Sequence, residues 1–392
     1  MYRFRITEET GRCLERIEEL RLQLDRGTPL PRLWLGRTRR DVEAEAVAAS
    51  TSLEGVPVTV DEARRILAGD RPPSVSPHDA ALVEGYREAM RYVLGRADDP
   101  NFVWHTELLL ALHHRILAGS RSDEAGRLRT VQNWLTHTAT GEAVYLPPAA
   151  AAVPGLLDDL TGWLRTTETP AAVTAALAHV SLAGIHPFRD GNGRAARIVA
   201  SLVMYRAGYQ SPTFTSLEEW WGRHPDAYYE AFACLGETWN GESDVTPFID
   251  VHVRAQVTQV EALSLRNAVE RALWTVIEDV ATLDLGLAAR TANALFDGLH
   301  AREITNRYYR GLADVSQVTA SHDLAKLAAS GLLEARGAGR SAHYVGTDRL
   351  IDTVAQAIGV PAERVASGSD LAQRRNDLLA AVAERLHVSS RP

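Results

Sequence analysis

The sequence predicts a mainly α-helical protein with two short β-hairpins. Two strongly apolar segments, Ala171 to Ile185 and Gly193 to Ala207, have the composition of a helix pair joined by a short loop. Apolar and polar residues instead alternate in 126–148 and 332–344, each around a glycine-containing turn, which is typical of hairpins. Helical patterns account for most of the remaining chain.

Composition and charge restrict the class of protein. A hydrophobic content of 45% in 392 residues suits two or three globular domains with a sizeable core. The first 20 residues are charged throughout, and no apolar segment is long enough to span a bilayer, so a cytoplasmic protein without a membrane partner is expected. Two cysteines do not make a disulfide framework or a metal site. The net charge of −8 argues against extensive coating of nucleic acid.

Residues 1–70 are predicted to form an N-terminal helical region. From 38 to 67 the pattern is a helix, a break and a second helix, with Thr38 and Asp61 as the expected caps. The proline-rich segment 71–76 then reads as a linker that leads into the core.

The first of these two helices ends in Ser50-Thr-Ser-Leu-Glu54-Gly55. Gly55 is the expected stop signal, and Ser50 and Glu54 lie one turn apart on one face. Taken alone, a glutamate at a helix end indicates only a solvated side chain. Further helices are predicted for 79–96 and for 106–117, in which His113 and His114 are expected to serve packing and capping.

The loop between the two apolar helices and the turn after it read His186-Pro-Phe-Arg-Asp190-Gly-Asn-Gly-Arg194-Ala-Ala-Arg197. Asn192 is the expected N-cap of the second helix. A glycine-rich loop that ends at a helix N-terminus brings free backbone N–H groups to the positive end of the helix dipole. The loop is therefore predicted to bind an anion such as phosphate.

The charged residues of the loop fit a polyphosphate. Arg194 and Arg197 lie near the start of the helix, where a cation opposes the dipole by roughly 0.3–1 kcal/mol, so a compensating anion is expected. Asp190 offers a hard oxygen ligand for Mg²⁺, and the pKa of a histidine such as His186 suits proton abstraction near neutrality. The alternative is a histidine that only ends a helix and arginines in surface ion pairs. The concentration of all four residues within twelve positions favours the binding site.

Residues 186–197 resemble the signature of the Fic (Fido) proteins, His-Pro-Phe-x-Asp/Glu-Gly-Asn-Gly-Arg-x-x-Arg, at every fixed position. The resemblance implies a Fic-type helical core with a short β-hairpin flap, here over residues 71–255. It also implies transfer of AMP from ATP, with Mg²⁺ as the cofactor, to a serine, threonine or tyrosine hydroxyl of a target protein.

The same resemblance assigns roles to individual residues. His186 takes the proton from the attacking hydroxyl, Asp190 holds the metal, Arg194 grips the leaving pyrophosphate and Arg197 reaches the γ-phosphate. The residues implied to cradle the phosphates are Gly191, Asn192 and Gly193. The residues implied to lie near the nucleotide base are Tyr228 and Tyr229, with Asn240 as a candidate adenine-reading residue.

Two further segments resemble Fic elements. The sequence Ser50-x-x-x-Glu54-Gly55 is similar to the family's inhibitory motif, Ser/Thr-x-x-x-Glu-Gly/Asn, which implies that Glu54 pairs with Arg197 and keeps the γ-phosphate out of its productive position. The hairpin over 129–147 corresponds to the flap that aligns the main chain of a target protein by strand pairing. An ordinary surface hairpin is the alternative, and self-modification stays open.

The pattern changes after a long helix that runs from Thr246 to about Leu283 and includes the connecting segment 256–284. Three short helices and the second hairpin predict a small winged helix-turn-helix (α+β) domain over 285–346, followed by a helical tail over 347–392. The three helices are expected at 285–300, 304–313 and 317–330. The residues expected to face a DNA groove or to lie on the wing are Gln317, Thr319, Ser321, His322, Arg336 and Arg340.

Two classes of function follow. The first is an AMP-transferring enzyme with an appended sensor or docking domain, with transfer of another phosphate-containing group as a lesser variant. The second is a DNA-binding regulator whose Fic portion responds to nucleotides. Residues 304–345 carry a formal charge of only about +2, which is a thin basic footprint for DNA, and winged helices also dock proteins. An intact His186 with both arginines favours the enzyme, and a homodimer stays open.

Overall fold

The computed structural model describes residues 2–26, 32–120, 123–136, 143–209, 217–365 and 370–389. It confirms a mainly helical protein with a few short strands. The chain forms two compact units, Met1–Glu261 and Ala262–Pro392. The N-terminal helical region thus belongs to the same unit as the core, which we expected to end at residue 255.

The first unit contains the predicted helices and the first hairpin. Its helices are α1 (Glu8–Arg26), α2 (Arg32–Ser52), α3 (Val60–Leu67), α4 (Pro77–Ala97), α5 (Thr106–Leu117), α6 (Val153–Thr166), α7 (Ala171–Ile185), α8 (Asn192–Arg206), α9 (Glu218–Arg223), α10 (Pro225–Ala231) and the first half of α11 (Thr246–Asp279). Its strands are β1 (Leu135–Thr136) and β2 (Ala143–Tyr145), and short 3₁₀ turns lie at Ala118–Ser120, Ala150–Ala152 and Phe232–Leu235.

Helices α7 and α8 form the centre of the first unit. In each of them 13 of the 15 residues are buried, as expected for helices that are apolar on every side. They pack against each other, and α4, α5 and α6 pack around them. The loop between α7 and α8 is therefore held at one end of an almost completely buried helix pair.

Two predicted helix caps in the N-terminal region are wrong. Thr38 lies inside α2, which begins six residues earlier, at Arg32. Thr59 rather than Asp61 caps α3, because its hydroxyl accepts a hydrogen bond from the Glu62 N–H while the Glu62 carboxylate accepts one from the Thr59 N–H. This reciprocal capping box satisfies two N–H groups, whereas an aspartate at the cap satisfies one.

Strands β1 and β2 form the flap hairpin, with Leu135 opposite Tyr145. The turn predicted near Gly141 lies outside the described residues. The Tyr145 hydroxyl donates a hydrogen bond of 3.0 Å to the Gly184 carbonyl near the end of α7. The base of the flap is therefore attached to the helix that leads into the motif loop.

The second unit begins within α11, which continues through a π-helical turn at Val280–Asp284. Its elements are a 3₁₀ turn (Ala289–Thr291), α12 (Ala292–Leu299), α13 (Asn306–Ala313), α14 (Gln317–Ala329), β3 (Leu333–Arg336), a 3₁₀ turn (Gly339–Ser341), β4 (His343–Gly346), α15 (Asp348–Ile358), a 3₁₀ turn (Ala362–Arg364) and α16 (Leu371–Ser389). The helix expected at 285–300 is thus shorter at its start. Ile304 pairs with Tyr344 beside the β3–β4 hairpin. Three helices followed by a hairpin is the expected order, and the assignment as a winged helix stays a prediction.

Among the described helices, none combines the length and the apolar character that crossing a bilayer requires.

Candidate functional site

The motif loop reverses the chain between α7 and α8. His186 ends α7 in the left-handed conformation, with φ 50° and ψ 58°, and Gly191 adopts φ 75° directly before α8. A left-handed histidine is uncommon because its Cβ crowds the backbone, and it persists only where the surroundings hold it. The loop is thus a constrained turn whose side chains lie at the end of the buried helix pair.

Asn192 is the first residue of α8 and not its N-cap, which corrects the prediction. Its Oδ1 accepts a hydrogen bond of 2.9 Å from the Phe188 N–H, and its Nδ2 donates one of 2.9 Å to the Phe188 carbonyl. Gly191 occupies the cap position, so no side chain caps the start of α8. The first N–H groups of this helix are therefore left to interact with an anion.

His186 has the tautomer of a proton acceptor. Its Nδ1 lies 3.3 Å from the Ala183 carbonyl, which can only accept, so Nδ1 carries the proton and Nε2 of the neutral ring is the basic nitrogen. Burial lowers the pKa of His186 to about 4, an effect that outweighs the opposing influence of Glu54 and Asp190. The ring is therefore neutral at pH 7.

Arg194 is buried with an exposed fraction of 2%, but its donors are only partly used. Its Nη2 donates a 3.0 Å hydrogen bond to Oδ2 of Asp190, while Nε and Nη1 have no partner among the described residues. Leaving buried donors unpaired costs about 1–3 kcal/mol per group, and more for charged groups. An anion at the start of α8 would satisfy these two nitrogens.

Arg197, in contrast, is fully engaged. Its Nη2 lies 2.9 Å from Oε1 of Glu54 and 3.0 Å from the Ser50 carbonyl, and its Nε donates to the Ser50 hydroxyl at 2.8 Å. Burial alone lowers the pKa of Arg197, but the oxygens of Tyr228 and Glu54 raise it above its ordinary value, so the side chain stays charged. Ser50 near the end of α2 and Glu54 in the turn after it, which the sequence singled out, therefore both contact this arginine.

The end of α2 explains why Glu54 can reach this position. The Gly55 N–H donates to the Ser52 carbonyl, and the Val56 N–H donates to the Thr51 carbonyl, which is the Schellman pattern of helix termination. The pattern requires a left-handed residue, and Gly55 has φ 79°. A Cβ added at Gly193 would collide with Oε1 of Glu54, so the carboxylate lies directly against the first turn of α8.

Three residues were predicted to lie near the nucleotide base, and only one of them, Tyr228, forms a hydrogen bond with Arg197. Tyr228 accepts a hydrogen bond of 2.9 Å from Nη1 of Arg197 and lies against Nε2 of the buried His179. Tyr229 is 57% exposed, and its hydroxyl donates to the Leu53 carbonyl at 2.7 Å. Asn240 lies in an exposed turn where its Oδ1 accepts from Glu242, and no described hydrogen bond links it to the motif. Its adenine-reading role stays a prediction.

His113 has a more direct connection with the site than packing alone. The Gly126 N–H donates to its Nδ1 at 3.0 Å, so Nε2 carries the proton and donates to the Asp190 carbonyl at 2.9 Å. Its ring is stacked on Phe188 at a centroid distance of 3.7 Å. Burial lowers its pKa to about 4, which keeps the ring neutral. His113 thus connects the motif loop at Asp190 to the backbone at Gly126.

Tyr86 and Glu218 are two further residues that the sequence analysis missed. The Tyr86 hydroxyl lies against Ser50 and donates a hydrogen bond of 2.7 Å to Oε1 of the buried Glu218. Helices α4 and α9 therefore support the serine that contacts Arg197. A tyrosine in an apolar helix gives no local signal of such a role.

Comparison with known proteins agrees with this geometry. Residues 104–204 match the model of the Fic/DOC family. The protein adenylyltransferase Fic of Nematostella vectensis is 27% identical over 255 residues, which cover 64% of this chain and 55% of that protein. The protein adenylyltransferase fic-1 of Caenorhabditis elegans is 30% identical over 183 residues, which cover 45% of this chain and 34% of that protein. The chain thus spans about half the length of the first relative and a third of the second.

Two solved structures resemble the fold. A Fic family protein from Desulfovibrio desulfuricans has a TM-score of 0.61 at 22% identity, covering 89% of this chain and 98% of that one. A Fic domain containing signaling protein from Bacteroides thetaiotaomicron has a TM-score of 0.54 at 21% identity, covering 64% and 95% respectively. At these identities the likeness shows a common fold.

Proposed function

Because the chain carries a Fic/DOC domain, we propose that it is a protein adenylyltransferase, which moves AMP from ATP to a serine, threonine or tyrosine hydroxyl of a target protein or of itself. The observation that carries the proposal is the arrangement around Arg194. This arginine presents two buried donors without a partner among the described residues, at an uncapped helix start, four residues after the one carboxylate of the loop and eight after a neutral histidine. A polyphosphate supplies the missing acceptors.

In the proposed reaction the target hydroxyl oxygen attacks the α-phosphorus of ATP. A new P–O bond forms, the bond to pyrophosphate breaks, and Nε2 of His186 takes the hydroxyl proton. Arg194 binds the leaving pyrophosphate and Arg197 the γ-phosphate, once it is free of Glu54. The residues whose backbone lies against the phosphates are Gly191, Asn192 and Gly193.

Asp190 has the chemistry of a magnesium ligand. Its side chain is 65% exposed, and a carboxylate oxygen is the ligand type that Mg²⁺ prefers next to substrate phosphates. When bound, the ion neutralises charge that develops on the phosphate oxygens. In the described structure Oδ1 of Asp190 accepts from the Gly191 N–H and Oδ2 from Arg194, which holds the carboxylate in place beside the loop.

Replacing Asp190 by alanine is expected to weaken magnesium-dependent AMP transfer, because no other carboxylate lies within the loop. A titration of activity against Mg²⁺ concentration, with Asp190→Asn as the near-isosteric comparison, measures the effect. If the activity did not change when a chelator removed divalent ions, the proposal of a polyphosphate substrate would be contradicted.

The flap is the proposed docking site of the target protein. Among the described residues β1 pairs with no strand other than β2, and three large apolar side chains on or beside the flap are about half exposed: Val131, Trp134 and Val144. An extended segment of a target can add to the edge of a hairpin as a further strand, while the exposed side chains contact alternate residues. Strand pairing would bring a hydroxyl on that segment beside His186.

The label position in ATP tests the type of transfer. Full-length Glu54→Gly protein is incubated with a cell lysate and with ATP labelled either at the α- or at the γ-phosphorus. Relative to lysate without the protein, AMP transfer is expected to add label from α-labelled ATP only. Labelling from γ-labelled ATP would instead indicate phosphate transfer, and labelling of the enzyme itself would indicate self-modification.

We also propose that the second unit contacts DNA through α14. Gln317, Ser321 and His322 are exposed on this helix, whereas Thr319 is half-buried against the Ser316 hydroxyl. On the adjoining hairpin, Arg336 forms two hydrogen bonds with Glu334, which reduces its charge toward a phosphate. These contacts suit weak binding with few phosphate contacts.

Titration of the full-length protein with duplex DNA is expected to give modest affinity and a shallow salt dependence. Each phosphate contact contributes a slope of about −0.9 in log Kobs against log salt, so a few contacts give a slope of only a few units. Gln317→Ala together with His322→Ala is expected to weaken binding without changing AMP transfer. Absence of any binding at low salt would favour protein docking as the role of this surface.

A further inference from the structure

We propose that Arg129 is a positioning residue of the transfer reaction, which connects the flap to the backbone of His186 and so couples target docking to the orientation of the general base. This inference rests on the proposed AMP-transfer function. Arg129 lies at the start of the flap, is 2% exposed, and was not singled out by the sequence.

The Arg129 guanidinium joins three backbone segments. Its Nε donates to the His186 carbonyl at 2.8 Å, its Nη1 donates to the Val131 carbonyl at 3.2 Å, and its Nη2 donates to the Pro148 carbonyl. Val131 and Pro148 belong to the two opposite arms of the flap. One side chain therefore links both arms to the residue that we identify as the base.

The backbone continues the same connection. The Arg129 N–H donates to the Pro187 carbonyl at 2.9 Å, and Nδ2 of Asn133 donates to the Phe188 carbonyl at 3.0 Å. Three successive carbonyls of the motif loop, from His186 to Phe188, thus accept hydrogen bonds from the first arm of the flap. A displacement of this arm would be transmitted directly to the loop.

The chemistry of Arg129 exceeds what a structural link requires. All hydrogen-bond acceptors that the described residues offer it are neutral carbonyls, so its charge is buried without a carboxylate in contact, and burial lowers its pKa. A buried cation of this kind is costly, because no carboxylate in contact offsets the loss of its hydration. The charge is retained next to the residue that must accept a proton.

The position of Arg129 also explains the unusual backbone of His186. A histidine in the left-handed region stores roughly 1–3 kcal/mol of strain and keeps that conformation only where its neighbours fix it. Arg129 holds the carbonyl of this residue, while the Ala183 carbonyl holds its ring. Without the arginine the carbonyl loses its partner and the strained turn can relax, which would displace the ring.

The charged groups that face His186 come from three elements. Arg129 on the flap favours the neutral ring, whereas Glu54 in the turn after α2 and Asp190 in the loop favour the protonated one. Loss of the Arg129 charge therefore raises the pKa of His186, and the acid limb of the pH–rate profile moves to higher pH. Loss of hydrogen-bond geometry alone leaves that limb where it is.

The test uses full-length protein with Glu54→Gly as the active parent. Arg129→Met removes both the charge and the donors, whereas Arg129→Lys keeps the charge but has one nitrogen for three dispersed carbonyls. Arg206→Met is the control, because Arg206 at the far end of α8 also donates to three carbonyls, that of Arg96 at 3.4 Å and those of Ala97 and Asp99 at 2.8 Å. We measure kcat, the KM for ATP, the pH–rate profile and the melting temperature of each variant.

Arg129→Met is expected to lower kcat roughly 10²-fold, as a misplacement of about 1 Å does, with an unchanged KM for ATP and an acid limb at higher pH. Arg129→Lys is expected to lower kcat while the acid limb of its pH–rate profile stays at the pH of the parent. Arg206→Met is expected to have the kcat and the acid limb of the parent. The inference would be overturned by a folded Arg129→Met variant that keeps the kcat of the parent. It would also be overturned if the acid limb of Arg129→Met lay at the same pH as that of Arg129→Lys.

Two further outcomes are informative. If Arg129→Met does not fold, Arg129→Lys decides, since full activity of that variant would remove the positioning role. If the Glu54→Gly parent itself transfers no AMP, the proposed function fails, and the pKa of His186 is then followed by NMR titration in Arg129→Met. An unchanged pKa in that titration would overturn the role of Arg129 independently of the enzyme's activity.

Discussion

Replacing Glu54 by glycine is expected to raise AMP transfer by up to about 10³–10⁵-fold, the contribution of an arginine supplied to a phosphoryl transition state. In the wild-type structure Arg197 is bound by Glu54 at 2.9 Å and by two oxygens of Ser50, so it is not free to bind the γ-phosphate. The Glu54 carboxylate also lies against the first turn of α8, where it would repel the phosphates of ATP. Initial rates with α-labelled ATP measure the gain.

The double variant shows whether the gain passes through Arg197. Arg197→Ala in the Glu54→Gly background is expected to lose most of the gain, because both changes act on one interaction and cannot be additive. Glu107→Gly, at an exposed glutamate in the first turn of α5, is the matched control and is expected to leave the rate unchanged. Equal rates of wild type and Glu54→Gly, with equal ATP binding, would show that Glu54 is an ordinary helix-end residue.

Replacing His186 by alanine in the Glu54→Gly background is expected to reduce AMP transfer about 10²–10⁴-fold, which is the usual contribution of a general base. The ring is neutral at pH 7 and its Nδ1 proton is held by the Ala183 carbonyl, so Nε2 is the ring nitrogen that takes the proton, and alanine has no basic group in its place. ATP binding should persist, because the arginines and the start of α8 are unchanged. The rate falls through kcat, which steady-state kinetics distinguish from a change in KM.

A histidine outside the site controls for nonspecific effects of the substitution. His105→Ala is suitable, since His105 is an exposed residue before α5 and pairs with Glu107. Full labelling by a His186→Ala variant with the melting temperature of its parent would remove His186 from the mechanism.

The motif loop could be predicted because its signal is local. His186, Asp190, Arg194 and Arg197 lie within twelve residues between two strongly apolar segments, so spacing and residue type were sufficient to place an anion site at a helix start. The contact between Glu54 and Arg197 joins residues 143 positions apart, and periodicity alone cannot indicate such a pair. Only the likeness of residues 50–55 to a known motif suggested it.

The errors at the helix caps have a common physical cause. Asn192 could cap α8 or fix the loop before it, and the buried N–H of Phe188 would lack its partner without it, so the loop takes the side chain. At α3 the Thr-x-x-Glu pattern of a capping box was present at Thr59, but the adjacent Asp61 is also a good cap former. The residue type at a single position does not show which of two competing hydrogen bonds the side chain forms.

His113 and Arg129 could not be recognised in advance for a different reason. Both act on backbone carbonyls of the motif loop, 77 and 57 residues away along the chain. A carbonyl belongs to every residue, so a contact with it places no requirement on the residue type of the partner. Long-range hydrogen bonds from side chain to backbone are therefore visible only once the fold brings the segments together.

Glu54 and the arginine that it binds belong to the same polypeptide. In the proposed mechanism the carboxylate is thus a tethered competitor of the γ-phosphate, with an effective concentration that depends on the fold and not on the number of molecules in solution. Dilution cannot weaken such a competitor, whereas a higher ATP concentration or a displacement of α2 can. The rate of AMP transfer per molecule of the resting protein would then depend on the ATP concentration and would be the same at every expression level.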